Sequence, residues 1–137
     1  MAKESRPPMG FQLLVGFDMT ERGEGFSRCE LEVEEKHLNP HGVVHGGVVY
    51  TLADTGMGAA VYSVLEPHES CATIELKVVY IAPVRAGRLV CESRVLHRGR
   101  RVIVLESEVR NGDRLAAKAL GTFAVIANSN QGGEDGQ

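Results

Sequence analysis

The chain has 137 residues, of which 43% are hydrophobic and 24% are charged, and its formal net charge is −3. This length and composition predict a single globular domain that buries its own core. The net negative charge argues against a nucleic-acid binder held by bulk charge, and the apolar stretches are too short for a membrane span. The three cysteines are widely spaced, which favours neither a disulfide framework nor a zinc site.

The composition changes near both ends of the sequence. Residues 1–9 are polar and contain two prolines, so we expect a flexible N-terminus. Residues 128–137 have no large apolar side chain, and we expect a disordered C-terminal tail. The folded domain is therefore predicted over residues 10–127. No apolar segment of the signal-peptide kind opens the chain, which favours a cytoplasmic location.

In chain order, the coarse pattern is strand, strand, helix and then four strands. Residues 11–19 predict a first short strand or a turn of helix, and residues 25–34 alternate as a strand. That alternation slips at Arg28–Cys29, which indicates a β-bulge. A loop rich in turn formers spans residues 37–44. Residues 45–65 predict a helix that is apolar nearly all round, which is typical of a buried helix.

The second half of the chain predicts a sheet. Asn111–Gly112 is a strong signal for a two-residue hairpin loop. Gly56 and Gly58 are unfavourable in a helix interior and indicate that something packs very close there. One buried helix and five or six mostly antiparallel strands predict an α+β fold with the sheet wrapped around the helix. The four later strand candidates are residues 73–81, 89–96, 102–110 and 115–126.

Asp54 is the main candidate for a catalytic group. It lies nine residues into the apolar helix, and none of its neighbours three or four positions away is cationic. A buried carboxylate without a partner is costly, so it is normally paired, neutralised or used. Two structural alternatives remain open: Asp54 faces solvent at a helix edge, or it pairs with an arginine on a strand.

The segment that precedes this helix offers hydrogen-bond donors. The first N–H groups of a helix lack internal partners and lie at the positive end of its dipole, and glycines let a ligand approach them. Gly46 and Gly47 therefore form a possible oxyanion site, or they only shape the corner between loop and helix. Asn39 either orients a substrate or forms a turn before Pro40. Histidines recur every four residues from residue 37 to 45, but no cysteine or carboxylate completes a metal site.

Together these groups suit the addition of water to an activated acyl group, since they supply oxyanion donors, an orienting amide and a carboxylate base. However, eight residues of helix separate Gly46 from Asp54 by roughly 12 Å. One shared site therefore requires a second subunit, and we expect a dimer with composite sites.

The segment from Asn39 to Asp54 resembles a known family signature. Asn39, Gly42 and the run His45–Gly46–Gly47, followed by Leu52–Ala53–Asp54, are similar to hotdog-fold acyl-CoA thioesterases of the phenylacetic acid degradation (PaaI-like) type. Residues 95–123 also resemble that family, and the similarity spans about residues 10–127. The resemblance implies a hotdog fold, dimers that usually pair into tetramers, and active sites at the dimer interface.

The resemblance also implies roles for individual residues. Asp54 is the base or nucleophile from one subunit, and the Gly46 N–H binds the thioester carbonyl from the other. Asn39 and His45 lie beside that carbonyl and the water, and Thr73 helps hold the water. Gly47 adjoins the substrate and shapes the corner. Candidate contacts for the coenzyme A phosphates are arginines in turns, namely Arg85, Arg88, Arg98, Arg100 and Arg101.

The predicted activity is hydrolysis of an acyl-CoA to the free acid and coenzyme A, either by direct attack of water or through a mixed anhydride on Asp54. No cofactor is expected, because coenzyme A is part of the substrate. Aryl and medium- or long-chain fatty acyl groups remain open. Two further alternatives are a non-catalytic acyl-CoA-binding module and an enoyl-thioester hydratase.

Overall fold

A computed structural model of the chain describes residues 7–127. One long helix and six strands make up most of this range, and a short helix precedes them. Gly16, with φ of 90°, ends the short helix, so the stretch predicted as strand or helix contains both. The elements are α1 (Phe11–Val15), β1 (Phe17–Gly23), β2 (Phe26–Glu32), a 3-10 turn (Glu35–His37), α2 (Gly46–Tyr62), β3 (Glu69–Tyr80), β4 (Arg88–Arg98), β5 (Val102–Asn111) and β6 (Arg114–Ala127).

The six strands form one sheet in the order β1-β2-β4-β5-β6-β3, and every neighbouring pair is antiparallel. Helix α2 packs on this sheet and contacts all six strands. The predicted architecture is confirmed. Because β1 and β3 are the edge strands, each leaves one row of backbone groups without a partner strand in the described chain.

Helix α2 buries one face against the sheet. The prediction that it is buried nearly all round is wrong for the single chain, because its opposite side, with Tyr50, Asp54 and Gly58, remains partly exposed. The helix ends at Tyr62 rather than at the predicted Leu65. The buried face consists of Val49, Leu52, Ala53, Gly56, Met57, Ala60 and Val61.

The bulge predicted in β2 lies elsewhere. Strand β2 pairs regularly with β4, and the register shift falls in β1, between Met19 and Glu21. The sequence alternation slips because Ser27 is a buried polar residue, whose hydroxyl donates to the Gly56 carbonyl at 2.6 Å. A serine that faces the core looks like a surface position in the sequence.

The β5–β6 hairpin also differs by one residue from the prediction. Asn111 pairs with Arg114, so the two loop residues are Gly112 and Asp113, and Gly112 has φ of 63°. Asn111 is the last residue of β5, and its side-chain amide donates to the carbonyls of Ala86 and Arg88 beside it. The predicted C-terminal tail and residues 1–6 lie outside the described residues.

Candidate active site

Asp54 lies on the side of α2 that faces away from the buried core, and it is half-buried. Its Oδ1 accepts a hydrogen bond of 2.8 Å from the Thr73 hydroxyl on β3. Within residues 7–127 no cation pairs with the carboxylate, and its second oxygen has no protein donor. The Arg-pairing alternative for Asp54 is therefore not realised within this range, and the free oxygen is open to a ligand or water.

Cys71 lies close to this carboxylate. Burial, and then the negative charge of Asp54, raise the pKa of the Cys71 thiol to about 11. The thiol therefore stays protonated at neutral pH, and a thiol is a far weaker nucleophile than a thiolate.

A cleft of about 1200 Å³ opens beside Asp54 and Thr73. Helix α2 forms one wall with small side chains, and β1 forms another. Residues 7–9, the described part of the predicted flexible N-terminus, also reach this cleft. The cleft is lined by Pro7, Pro8, Met9, Gln12, residues 18–22, Asp54, Thr55, Gly58, Ala59, Tyr62, Thr73 and Phe123.

The N-terminus of α2 forms a second group of polar atoms. The His45 side chain caps the helix, since its Nδ1 accepts the Gly47 N–H at 2.8 Å. This bond places the proton of the neutral ring on Nε2, which is then a donor. No acceptor within residues 7–127 takes the Gly46 N–H, which is the first of the helix. The arrangement leaves Gly46, rather than Gly47, as the free backbone donor.

Tyr80 is a feature that the sequence reasoning missed. Its hydroxyl donates to the Gly46 carbonyl at 2.7 Å, and its ring lies so close that a Cβ on Gly46 would be 3.1 Å from it. A side chain at residue 46 would therefore press against the Tyr80 ring, which would have to shift by a few tenths of an ångström. No local pattern links a tyrosine at a strand end to a glycine 34 residues earlier, so only the tertiary structure shows this contact.

Asn39 forms a turn, which is one of the two roles that the sequence allows for it. Its Oδ1 accepts from the backbone N–H groups of His41 and Val43, at 2.8 and 3.2 Å. The Nδ2 donors have no partner among the described residues, so they remain available to a ligand. His37 has a structural role instead. It is buried, its Nδ1 accepts the Glu34 N–H, and its Nε2 forms a hydrogen bond with the Val15 carbonyl oxygen.

The five candidate arginines lie in two separate places. Arg85 precedes β4, and Arg88 is its first residue. Arg98 is its last residue, and Arg100 and Arg101 follow it. The two groups therefore lie roughly 30 Å apart along a strand of this length. Arg88 pairs with Glu30 and Glu32, and Arg98 pairs with Glu69. Arg85, Arg100 and Arg101 are exposed and form no ion pair within residues 7–127, and Arg85 reaches the His41 carbonyl at 3.5 Å.

The structure does not bring Asp54 and Gly46 into one cleft of the single chain. Gly46 and Gly47 line a second cleft of about 510 Å³, together with Tyr80, Ile81 and residues 82–84. Neither Asp54 nor Thr73 lines it. The candidate residues thus fall into two groups in the single chain, here called half-sites: Asp54 and Thr73 at the first cleft, and Gly46 with His45 and Asn39 at the start of α2 and in the loop before it.

Two features are absent from residues 7–127. No group of three or more His, Cys, Asp or Glu side chains there has the arrangement of a metal site. No helix in that range has the length and apolarity needed to cross a membrane.

Comparison with known proteins identifies the family. The sequence model of the Thioesterase superfamily matches residues 41–118, more than half of the chain, so the chain belongs to this superfamily. The protein SSO1253 of Saccharolobus solfataricus, named as an esterase, is 32% identical over 85% of this chain and 77% of its own. The 1,4-dihydroxy-2-naphthoyl-CoA hydrolase of Listeria monocytogenes is 29% identical over 85% of this chain and 96% of its own.

Solved structures agree with this assignment. The conserved protein PA5202 of Pseudomonas aeruginosa superposes with a TM-score of 0.84 at 40% identity, covering 87% of this chain and 95% of that one. The phenylacetic acid degradation protein PaaI of Thermus thermophilus superposes with a TM-score of 0.78 at 26% identity, covering 83% and 96%. The predicted hotdog fold and PaaI-like thioesterase family are confirmed, and the chain is a thioester hydrolase.

Proposed function

We propose that the protein hydrolyses an acyl-CoA, with Asp54 as the general base and the Gly46 N–H of a second copy as the oxyanion donor. The observation that carries this proposal is the Asp54 carboxylate, which the Thr73 hydroxyl orients at the wall of a large cleft. A thioester hydrolase needs such a carboxylate beside a space for its acyl group.

The reaction takes place in two steps. Water attacks the thioester carbon while Asp54 takes one of its protons, and the carbonyl oxygen gains a negative charge. The Gly46 N–H, at the positive end of the α2 dipole, stabilises that oxyanion. The tetrahedral intermediate then collapses, the C–S bond breaks, and coenzyme A leaves as a thiolate that recovers a proton. A thiolate leaves readily, so a second acid is not required.

Strand β3 provides the reason to expect a composite site. It is an edge strand, and its Thr73 touches one half-site while its Tyr80 touches the other. Antiparallel pairing of β3 with β3 of a second copy, in a register centred near residues 76 and 77, runs the Thr73 end of each strand towards the Tyr80 end of the other. This register brings Asp54 of each copy towards Gly46 of the other.

The side chains of β3 support this register. Ile74 and Val79 are apolar but 55% and 48% exposed in the single chain. The same register brings Ile74 near the partner's Val79, so each exposed apolar side chain gains an apolar neighbour. Pairing also satisfies the free backbone edge of β3. Assembly of two such dimers into a tetramer, like the cytoplasmic location, remains a prediction.

We place the coenzyme A phosphates near Arg85 in preference to the other candidates. Arg85 is exposed and reaches the loop that holds Asn39, next to the Gly46 half-site. Arg88 and Arg98 already bind carboxylates, whereas Arg100 and Arg101 lie at the far end of β4. Arg85→Ala is expected to raise KM with little effect on kcat, because it removes binding common to substrate and transition state.

The test of the activity is the release of free coenzyme A from acetyl-, hexanoyl-, decanoyl-, palmitoyl- and phenylacetyl-CoA. Asp54→Asn retains the size of the side chain and removes the base, so kcat should fall by about 10² or more. Equal turnover by wild type and Asp54→Asn would contradict the assigned role. A single turnover in ¹⁸O-water tests for the anhydride, since ¹⁸O in the Asp54 carboxylate arises only when water attacks the Asp54 carbon of a mixed anhydride.

A subunit-mixing experiment tests the composite site. Asp54→Asn disables one half-site, and Asn39→Asp disables the other while it keeps the Oδ1 that holds the loop. Mixed dimers contain one site built from two wild-type halves, so activity should return to at most half the wild-type value per dimer. Mixtures that stay inactive after subunit exchange would show that each chain works alone.

A further inference from the structure

Three residues of α2 form a row that runs away from the proposed base. Asp54, Gly58 and Tyr62 are four residues apart, so they lie on one side of the helix. All three line the cleft of about 1200 Å³, opposite Met19 of β1 and beside Phe123. Glycine at the central position leaves the space between the carboxylate and the tyrosine ring open.

Nothing within residues 7–127 requires a glycine at residue 58. Its backbone is helical, and among these residues a Cβ there would meet only Phe123, at an ordinary contact distance of 3.8 Å. Glycine is nevertheless the poorest helix former after proline. The predicted close packing at Gly58 is thus absent from the described chain, and the residue weakens the helix without any packing benefit that the chain shows.

Gly56 provides the contrast within the same helix. A Cβ at that position would lie 2.7 Å from the buried Ser93 hydroxyl, so packing alone explains the glycine. The predicted close approach is confirmed there. Of the two glycines, only Gly58 keeps open a space that connects with the candidate active site.

We propose that Gly58 is a specificity-determining residue, which admits a straight aliphatic acyl chain along α2 from Asp54 towards Tyr62. The proposal rests on the function proposed above. Eight residues of helix give this path a length of roughly 12 Å, which suits a medium-length chain. Tyr62 closes the far end, because its hydroxyl bonds Ser70 at 3.2 Å and the ring is thereby held in place.

The test compares Gly58→Ala and Gly58→Leu with wild type on the same acyl-CoA series. The Leu side chain should lower kcat/KM for decanoyl-CoA at least tenfold more than for acetyl-CoA, and Ala should have a smaller effect of the same sign. Gly58→Ala should also raise Tm by about 2–5 °C, since Ala favours the helix. Gly56→Ala, the same change two residues earlier, should lower Tm instead.

Two results would overturn the proposal. An unchanged chain-length profile in Gly58→Leu would mean that the acyl chain lies elsewhere. Dissociation of the Gly58→Leu assembly in light scattering would mean that a second copy of the chain occupies this space.

A binding measurement separates this proposal from the proposed function. In the Asp54→Asn background, decanoyl-CoA should raise Tm more than acetyl-CoA does, and Gly58→Leu should abolish that difference. A wild-type protein that turns over no thioester would contradict the proposed function. The chain-length effect on Tm would still decide the role of Gly58.

Discussion

At the scale of single residues, the candidate site is built around the Asp54 carboxylate and its contacts with two neighbouring side chains. Thr73 occupies one oxygen of Asp54 and leaves the other free. Cys71, although close, is kept protonated by burial and by the charge of Asp54, which raise the pKa of its thiol. A thiol that stays protonated is a poor nucleophile, which argues against a cysteine mechanism at this site.

Thr73→Val retains the shape of the side chain and removes its hydroxyl. We expect kcat/KM to fall about tenfold, equivalent to about 1.4 kcal/mol, because Asp54 loses its orienting donor. Thr73→Ser, which keeps the hydroxyl, is the matched control and should stay near wild type. Equal losses in both variants would assign the effect to packing rather than to the hydrogen bond.

The reactivity of Cys71 reports the charge of Asp54. Asp54→Asn removes a negative charge that raises the thiol pKa, so the pKa should fall back towards its ordinary value. More thiolate is then present at mildly alkaline pH, and alkylation by iodoacetamide should be several-fold faster. Cys71→Ser identifies the labelled residue. An unchanged rate would show that Asp54 carries no charge near the thiol.

At the scale of elements, helix α2 packs against hydroxyl groups as well as against apolar side chains. Ser27 donates to the Gly56 carbonyl, and the buried hydroxyls of Ser93 and Ser107 bond each other at 2.6 Å. These small groups let α2 approach β2 and β4 closely at Gly56. The close packing fixes the helix on the sheet, and hence the position of Asp54 relative to β3.

The serine pair gives a prediction about stability. Ser93→Ala leaves the Ser107 hydroxyl buried without its partner, which should cost about 1–3 kcal/mol of unfolding free energy. Ser93→Ala combined with Ser107→Ala removes both polar groups and should cost less than the sum of the single changes. Urea denaturation of the four proteins measures this coupling. Strict additivity would show that the two hydroxyls do not interact.

At the scale of the whole molecule, the proposed catalytic groups of one chain lie apart. The proposed base lies in one cleft and the proposed oxyanion donor in another, and edge strand β3 touches both. Association through β3 would complete two sites at once, so we expect oligomeric state and activity to change together.

Ile74→Lys tests that coupling. A lysine at this exposed position of β3 opposes pairing with a second copy, so the assembly should dissociate and activity should fall in parallel. Leu13→Lys changes a similarly exposed residue on α1 and is the control. Light scattering and thioester turnover are measured on the same samples. A fully active monomer would exclude the composite site.

Much of this protein follows from its sequence. The long apolar segment of residues 45–65 predicts α2, and the alternating segments predict the later strands, because apolar side chains must be buried in a core. Asp54 lies within that helix and glycines lie at its start, so the sequence already indicates a carboxylate base and a backbone N–H donor. The helix length also shows that they cannot meet within one chain.

Other features were decided by the tertiary structure alone. The sequence cannot show that Ser27 faces the core, that Tyr80 bonds Gly46, or that only one of two helix glycines is tightly packed. Each of these contacts joins residues far apart in the chain, and their distances depend on how strands and helix pack. Local patterns report which face of an element is apolar, whereas the groups that meet across the core are set by the packing of all elements together.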